Sequence, residues 1–452
     1  MRVCWNRQTG TFEGRVSTDV GVQVSSLAPK KNHLNRWFFF GIRETSIMSA
    51  QPRQAGHSPV RTDDAEANFM SRAKYTVLQI LYWANAAVLF GFTVSFLRSY
   101  GFSNGEAGTI CALSNLLGLA GTIFLGLLLD RKKIHLYPLL IFALFMQAIA
   151  ISFLFLHAGH SAVTAVCCIT SMAISLMVNP LYIKLSVNLN HAKNTVNFGL
   201  SRGAGSLSFA FSAWLTGILI QDFSVAVVPF AALATVVPQL FIIFTAKGGF
   251  DEMEKDTAAQ NPGISLFSFF MGHPLFVVLI LGIAALFAAN NTINNFLIVI
   301  VNEAGGNYAT LGALTFFLAL VEFPAMLLYS RQKKRRSSFF LRISFLFFAI
   351  KIFAFALSKS VPALFLSAVF QSLSFGLYTP AVVDYINEVI PYEDSAKAQS
   401  LASAMAAVGT MIATYASGFM LDRFPVKAVL LALTVVAVFG AGLSIWGTKR
   451  EK

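Results

Sequence analysis

Three ionisable side chains interrupt long apolar stretches of this sequence: Arg202, Glu322 and Lys351. Each stretch has roughly the 20 residues that a helix needs to cross a bilayer. A charge inside such a helix is costly unless it faces a bundle interior or a water-filled cavity, where it can move protons or ions. We therefore predict that these three residues form a proton or charge relay.

Arg202 lies about one and a half turns inside its apolar stretch, and small residues surround it. Gly203, Gly205 and Ser206 would allow another helix to approach closely. This favours a packed helix whose arginine faces other helices and finds its counter-charge there. The alternative is that the guanidinium extends along its helix to the polar membrane interface.

Glu322 is the predicted proton carrier, because an ionised carboxylate is costly in an apolar medium and binds a proton instead. It could pair with Arg202 in an empty cavity, and a proton or a substrate would then break the pair. Two structural alternatives stay open: a static ion pair between helices, and a carboxyl group bonded to the backbone near Pro324. Lys351 could attract an anionic substrate or join the relay.

Amide and aromatic side chains supply candidate contacts for a substrate. Four asparagines form two i, i+4 pairs on one side of a predicted helix, and amides donate and accept hydrogen bonds, which suits sugar hydroxyls. Their alternative role is hydrogen bonding between helices. Two glutamines lie one or two turns from an aromatic ring, which fits a sugar ring or an aromatic solute, although each alone could serve packing. The predicted cavity residues are Gln79, Trp83, Asn290, Asn294, Asn295, Gln371 and Tyr378, with Asn291 beside them.

The composition shows which elements must position these residues. Of the 452 residues, 56% are hydrophobic and 12% are charged, against about 25% charged in water-soluble proteins. The chain is therefore predicted to be an all-α membrane protein with twelve transmembrane helices. The predicted spans are 75–98, 105–129, 134–156, 161–186, 197–220, 225–246, 272–300, 308–329, 338–358, 361–384, 397–420 and 427–447.

The chain is predicted to divide into four parts. They are a disordered cytoplasmic tail at 1–70, a six-helix bundle at 71–246, a cytoplasmic loop at 247–263 and a second six-helix bundle at 264–452. The tail is predicted from its polar, mixed-charge composition, and Met48 or Met70 within it could be the true start.

Basic residues determine the predicted orientation. If the N-terminus lies in the cytoplasm, most lysines and arginines fall in inside loops, and the outside loops hold Arg98, Lys359, Arg423 and Lys427. The positive-inside rule then puts both termini in the cytoplasm. We expect a monomer in a bacterial-type cell membrane.

Composition and motifs also exclude several classes of protein. The net charge of +13 belongs to cytoplasmic loops, so no nucleic-acid partner is expected. Cys4, Cys111, Cys167 and Cys168 have neither disulfide nor zinc spacing. We find no phosphate-binding glycine loop, metal-ligand cluster or nucleophile arrangement, so we expect no metal, no cofactor and no enzymatic activity. The expected partners are a small-molecule substrate, H+ and the lipid bilayer.

An internal repeat at an offset near 200 residues favours two homologous halves. Pro180 and Pro380 each interrupt a span and lie 200 positions apart. The spacing Gly217-x5-Phe recurs as Gly418-x5-Phe, 201 positions later, and paired lysines follow the second and eighth spans at the same offset. Two such halves, with a site between them at mid-membrane, describe one class of secondary transporter.

One loop resembles the major facilitator superfamily of transporters. It reads Gly126-Leu-Leu-Leu-Asp130-Arg131-Lys132-Lys133 and is similar to a shortened form of that family's loop between helices 2 and 3. In that family the acid and bases tie cytoplasmic helix ends together in one conformation and release them in the other. The resemblance therefore implies a cytoplasmic gate at Asp130, Arg131 and Lys132.

A closer resemblance is to the lactose-permease-like branch, the oligosaccharide–proton symporters, over about residues 72–447. Asn197-Phe-Gly-x-x-Arg202 resembles that branch's helix 5, with its substrate-pairing arginine. Three further segments resemble the start of its helix 2, its helix 7 and its helix 9 around a functional arginine: Ser103-x-x-Glu106-x-Gly108, Asn290-x4-Asn295-Phe296 and Ala349-Ile-Lys351-Ile.

The proton relay of that branch is not present in its usual form. Its helix 10 carries a histidine and a glutamate, and the matching positions here are Gln371 and Ser374. Its acidic residue on helix 4 falls at Lys184, and an aspartate of its helix 7 corresponds to Asn290. These departures speak against lactose as the substrate and against the simplest coupling scheme.

The sequence thus predicts a secondary active transporter that works by proton-coupled symport of a small polar solute, such as a sugar, with alternating access between two halves. Two alternatives stay open. An efflux antiporter for drugs or other amphipathic solutes is favoured by the 44 phenylalanines and the missing relay. A non-transporting membrane sensor is disfavoured by the three intramembrane charges.

Overall fold

The computed structural model describes residues 62–130, 134–191, 197–246, 266–332 and 335–449. Within these ranges, the side chains at 62–71, 130, 190–191, 246, 266–268 and 392–393 lie outside the description. The predicted loop at 247–263, residues 1–61 of the predicted tail, and Arg131 and Lys132 of the predicted gate therefore lie outside the described residues, as does the side chain of Asp130.

Twelve long helices run through the described residues, and each contains a segment long and apolar enough to cross a membrane. Their bounds are α1 Thr62–Ser99, α2 Asn104–Asp130, α3 Leu136–His157, α4 Ala162–His191, α5 Phe198–Asp222, α6 Val227–Ala246, α7 Pro274–Asn295, α8 Tyr308–Arg331, α9 Ser337–Leu357, α10 Val361–Val389, α11 Tyr392–Leu421 and α12 Val426–Gly447. The prediction of twelve spanning helices is confirmed, and no strand occurs in the described part of the chain.

Several helices extend beyond the predicted spans. The first begins at Thr62, so the last nine residues of the predicted disordered tail, 62–70, are helical instead. Helix α4 continues to His191, five residues past its predicted end at 186. Hydropathy marks only the part of a helix that suits lipid, whereas polar turns can continue the same hydrogen-bond ladder into water.

The predicted span at 272–300 is shorter in the structure. Helix α7 begins at Pro274, because proline lacks the N–H that the first helical position leaves unbonded. It ends at Asn295, and a separate short helix, Leu297–Glu303, follows Phe296. The prediction of one continuous helix to residue 300 is therefore wrong.

Two halves of six helices pack in the same way. In the first half the contacting pairs are α1–α5, α1–α6, α3–α6, α2–α4 and α3–α4. Adding six to each label gives α7–α11, α7–α12, α9–α12, α8–α10 and α9–α10, and all of these pairs also pack together. The fold is thus two pseudo-symmetric six-helix bundles, as the repeat predicted.

Two helix pairs, α2–α11 and α5–α8, join the halves at one end of the molecule. A Cβ atom added to Gly217 of α5 would lie 2.8 Å from Cα of Gly312 in α8. One added to Gly418 of α11 would lie 2.5 Å from the carbonyl oxygen of Asn104 in α2. Only glycine allows this approach. We call this end, formed where α5 and α11 end and α2 and α8 begin, the closed end.

Helix α10 changes its winding at mid-length. A 3₁₀ turn at Val369–Gln371 is followed by a π turn at Ser372–Gly376, and a regular helix continues from there. The hydroxyl of Ser344 in α9 donates to the carbonyl oxygen of Ser374 at 2.8 Å, which satisfies a carbonyl within the π turn. Such turns are frequent at functional sites, and this one adjoins Gln371.

Candidate functional site

A cavity of about 430 Å³ lies between the two halves. Residues of α1, α2, α4 and α5 line it on one side, and residues of α7, α8, α10 and α11 line it on the other. Within the described part of the chain, its charged lining residues are Arg202 and Glu322. Its polar and aromatic lining includes Trp83, Asn115, Asn290, Asn294, Asn295 and Gln371.

Arg202 reaches the cavity from the first turns of α5. Its guanidinium carbon lies 3.6 Å from the centre of the Trp83 ring, a close cation–π contact with α1. Nη1 donates to Oγ of Ser206, one turn further on, at 2.6 Å. Among the described residues no carboxylate lies within 4.0 Å of the guanidinium. The arginine is therefore oriented by a ring and a hydroxyl, and it keeps N–H donors that no described residue accepts.

The start of α5 packs on α1 through small residues. Gly205 touches the Trp83 ring and leaves no room for a Cβ atom, and the hydroxyl of Ser208 donates to the carbonyl of Ile80 at 2.9 Å. Gly203 has no neighbour within 4 Å of the position of an added Cβ. The prediction that small residues admit a second helix thus holds at Gly205 and is wrong at Gly203, since the neighbouring helix lies on one face only.

Glu322 enters the cavity from α8. Its Oε1 accepts a hydrogen bond from Nε2 of Gln371 in α10 at 2.7 Å. It forms no ion pair with Arg202 at 4.0 Å or less, although both side chains line the same cavity. The predicted pairing of the two charges in an empty cavity is therefore not formed, because each charge has found a partner on its own side.

Lys351 lies behind the cavity wall and is only 2% exposed. Its ammonium group donates to Oε1 of Gln371 at 2.6 Å and to Oδ1 of Asn290. Gln371 therefore bridges Lys351 and Glu322, since its amide accepts from the lysine and donates to the carboxylate. The structure joins the two residues in one hydrogen-bonded chain, while Arg202 stands on the opposite half.

The asparagines of α7 divide between the two predicted roles. Asn291 and Asn295 donate to Thr410 and Thr414 of α11, each at 3.0 Å, so they join helices. Asn290 is buried and accepts from Lys351. Asn294 is exposed to the cavity and makes no hydrogen bond to the described residues, so it is the asparagine free to meet a solute.

Two predicted cavity residues lie outside the cavity. Gln79 is 1% exposed, accepts from the Trp83 ring N–H at 3.2 Å and donates to the Tyr75 hydroxyl at 2.9 Å. Tyr378 is buried, and its ring centre lies 5.1 Å from that of Phe287. Both serve packing, because the helix rotation turns them away from the void. Trp83 lines the cavity, but Arg202 covers one face of its ring.

Sequence reasoning missed a contact at the closed end. Asp422, just after α11, accepts hydrogen bonds from the backbone N–H groups of Asn104 and Gly105 at the start of α2, both at 2.8 Å. Partial burial acts to raise the pKa of this carboxyl, but hydrogen bonds from the two backbone N–H groups and from the side chains of Ser103 and Asn104 together outweigh it and hold the pKa below its ordinary value. The N-terminus of a helix attracts a carboxylate. The signal that the sequence offered for this contact was an acidic residue, Asp422, in the loop directly after a predicted span.

The fold and the cavity define a class of protein, namely transporters built from two six-helix bundles around a polar central void. The model of the MFS_1 like family matches residues 73–432. The chain belongs to this family, within the major facilitator superfamily, and it is a multi-pass membrane transporter rather than an enzyme. The predicted superfamily is confirmed.

Relatives of known name agree with this assignment. The maltose permease of Geobacillus stearothermophilus is 25% identical over 364 residues, which cover 77% of this chain and 87% of that protein. A Deinococcus radiodurans protein, whose name proposes a sugar efflux transporter, is 24% identical over 158 residues, 35% of this chain and 40% of its own. The crystal structure of the nucleoside transporter NupG has the same fold, with a TM-score of 0.71, 13% identity and coverage of 84% of this chain and 99% of that one.

Proposed function

We propose that the protein couples the movement of H+ to the symport of a small polar solute, with sugars as the leading class, by alternating access. One observation carries this proposal: Arg202 and Glu322, from opposite halves, line one cavity without forming an ion pair. Charges that face a central void are available to a proton and to a solute. The name of the maltose permease relative supports a sugar.

In this proposal Glu322 carries the proton. Gln371 donates to one carboxylate oxygen at 2.7 Å, no described residue donates to the other, and the side chain lines the cavity. Proton binding removes a negative charge opposite Arg202 and so changes the field in which the solute binds. By linkage, a solute that binds better beside the protonated carboxyl must also strengthen proton binding, and that reciprocity is the basis of coupling.

Alternating access would use the contacts between the halves. In the predicted orientation the closed end faces outside, so this conformation is open toward the cytoplasm. Moving to the opposite conformation requires the contact between Gly217 and Gly312 and the matching contact at Gly418 to separate. The cavity is built within one chain, which supports transport by a monomer in a cell membrane.

The test is uptake of labelled maltose into proteoliposomes under an imposed pH gradient. We expect Glu322→Gln to lose gradient-driven accumulation and to retain exchange of labelled for unlabelled solute. Glu303→Gln, which changes an exposed carboxylate at the end of the short helix before α8, is the matched control and keeps both activities. Full accumulation by Glu322→Gln would show that the proton travels elsewhere.

The same vesicles decide between symport and the alternatives. Efflux antiport, which the name of the Deinococcus relative supports, predicts that the gradient drives extrusion of preloaded solute. A sensor predicts binding without any movement of solute across the membrane. Either result overturns the symport proposal.

A further inference from the structure

Among the described residues, the cavity and the side chains bonded to its lining carry one positive charge more than they carry negative charges. Arg202 and Glu322 line the void, and Lys351 is joined to Glu322 through Gln371. With all three groups ionised, two cations face one carboxylate. Among the described residues, none of the three has an ion pair at 4.0 Å or less.

The two cations differ in what they can still bind. Lys351 is 2% exposed and its ammonium group is enclosed by two amide oxygens, so a solute cannot reach it directly. Amide oxygens solvate an ammonium group but do not cancel its charge. Arg202 donates one N–H to the hydroxyl of Ser206 and stacks on the Trp83 ring. None of the described residues accepts a hydrogen bond from its remaining N–H groups.

We infer that the solute is a monoanion, a carboxylate on a polyhydroxy body, as in a sugar acid, and that its carboxylate binds Arg202. This inference rests on the proposed function, because it concerns the solute of the same cavity. A guanidinium presents a rigid fork of donors that matches a carboxylate with two parallel hydrogen bonds. The carboxylate would supply the negative charge that the cavity lacks.

The rest of the cavity suits hydroxyl groups. Asn294 is exposed in the lining and has no described hydrogen-bond partner. Nδ2 of Asn115 donates to its own helix at 2.8 Å, which leaves the carbonyl oxygen of that amide to accept from a solute. The volume of about 430 Å³ falls within the usual range of small-molecule pockets.

The charge count favours a carboxylate over a phosphate ester. Among the described residues, Arg202 is the cation that a solute can reach, because Lys351 is enclosed, so one negative charge matches it, whereas a dianionic phosphate would bring a second negative charge without an accessible cation into a low-dielectric site. A proton on Glu322 raises the site to two positive charges and strengthens the attraction for the anion. One proton and one monoanion would then cross together without net charge.

The test compares binding of matched pairs to the purified wild-type protein: D-glucose with D-glucuronate, and D-galactose with D-galacturonate. We expect each acid to bind roughly tenfold or more tightly than its neutral partner, the effect of one charge-assisted contact. Glucose 6-phosphate, as a third probe, should bind more weakly than glucuronate.

Arg202→Gln should remove the preference for the acid in each pair. Arg98→Gln, which deletes an exposed arginine at the end of α1, should keep it. The wild-type comparison stands even if the cavity variant folds poorly.

Equal or tighter binding of the neutral sugars overturns the inference and leaves the proposed symport intact. Absence of binding by every acid, or stronger binding of the phosphate, also overturns it. Preferential binding of the acids without any proton-driven accumulation would instead support the inference and contradict the proposed function.

Discussion

Helices α5 and α8 meet in two different ways along their length. At the closed end, Gly217 and Gly312 bring the two backbones into contact. About three to four turns away, Arg202 and Glu322 face a common cavity without forming an ion pair. One helix pair therefore provides a close-packed seal at one level and separated charges at the other.

The difference indicates that the two levels have separate tasks. Glycine contacts depend on shape, and one added methyl group prevents them. The role of Arg202 and Glu322 depends on the electric field in the cavity and on hydrogen bonding. Substitutions that change the volume of these side chains should therefore be tolerated better than substitutions that change their charge. Substitutions at the two levels should therefore fail in different measurements, and the following predictions test that separation.

The largest effect is expected from Gly217→Leu. A Cβ at this position would lie 2.6 Å from the carbonyl oxygen of Tyr308 and 2.8 Å from Cα of Gly312, so the closed end cannot form. Overpacking costs about 3 kcal/mol or more, which lowers transport roughly a hundredfold or more. Solute exchange in proteoliposomes measures this loss, and substrate binding should persist.

Gly203→Leu is the matched control on the same helix. No atom lies within 4 Å of a Cβ added there, so exchange should stay near the wild-type rate. Equal losses in the two variants would mean that α5 tolerates no added bulk anywhere, and the distinction between the two levels would fail.

A smaller effect is expected from Gln371→Leu, which breaks the bridge on the cavity side. Lys351 loses one acceptor and Glu322 loses its donor. Hydrogen bonds to charged groups are worth about 1.5–3 kcal/mol each, so thermal unfolding in detergent should shift to lower temperature by several degrees.

Tyr378→Phe, two turns along the same helix, provides the comparison. This tyrosine is buried and its hydroxyl makes no hydrogen bond to the described residues, so unfolding temperature and transport should both be unchanged. Loss of transport in this variant would restore Tyr378 to the substrate cavity, where the sequence had placed it.

Asp422→Asn should have a moderate effect confined to the closed end. Each carboxylate oxygen of Asp422 accepts one backbone N–H, from Asn104 and from Gly105, and the substitution replaces one of these oxygens by an NH2 group that cannot accept. The loss weakens the contact between α11 and α2 by about 1–2 kcal/mol. Distances between spin labels on the ends of these two helices should show a larger separated population. Asp222→Asn, at the exposed end of α5, should leave those distances unchanged.

The smallest effect is expected from pH at the closed end. The backbone and side-chain donors hold the pKa of Asp422 below its ordinary value of 3.8. A lowered pKa means that its contribution is present above that ordinary value and is lost only as pH falls through the lowered pKa. The spin-label distances should therefore be constant between about pH 5 and pH 8. A shift within that window would assign the pH response of the closed end to another group.

Much of the fold follows from the sequence because hydropathy is a local signal and the 200-residue repeat can be read directly by comparing two stretches of the sequence. The repeat glycines Gly217 and Gly418 even coincide with the contacts between the halves. Helix rotation is not a local signal. The rotation of each helix about its axis determines which side chains face the cavity, and it turns Gln79 and Tyr378 away from it. It also places the Trp83 ring, rather than the Glu322 carboxylate, beside the guanidinium of Arg202.

The central claim is that Glu322 takes up the proton that accompanies the solute. The most direct test is the pH change in weakly buffered medium when maltose or D-glucuronate is added to proteoliposomes, with Glu303→Gln as the control. We expect alkalinisation of the medium with the wild-type and control proteins and none with Glu322→Gln. Alkalinisation at the wild-type rate in Glu322→Gln would contradict the claim.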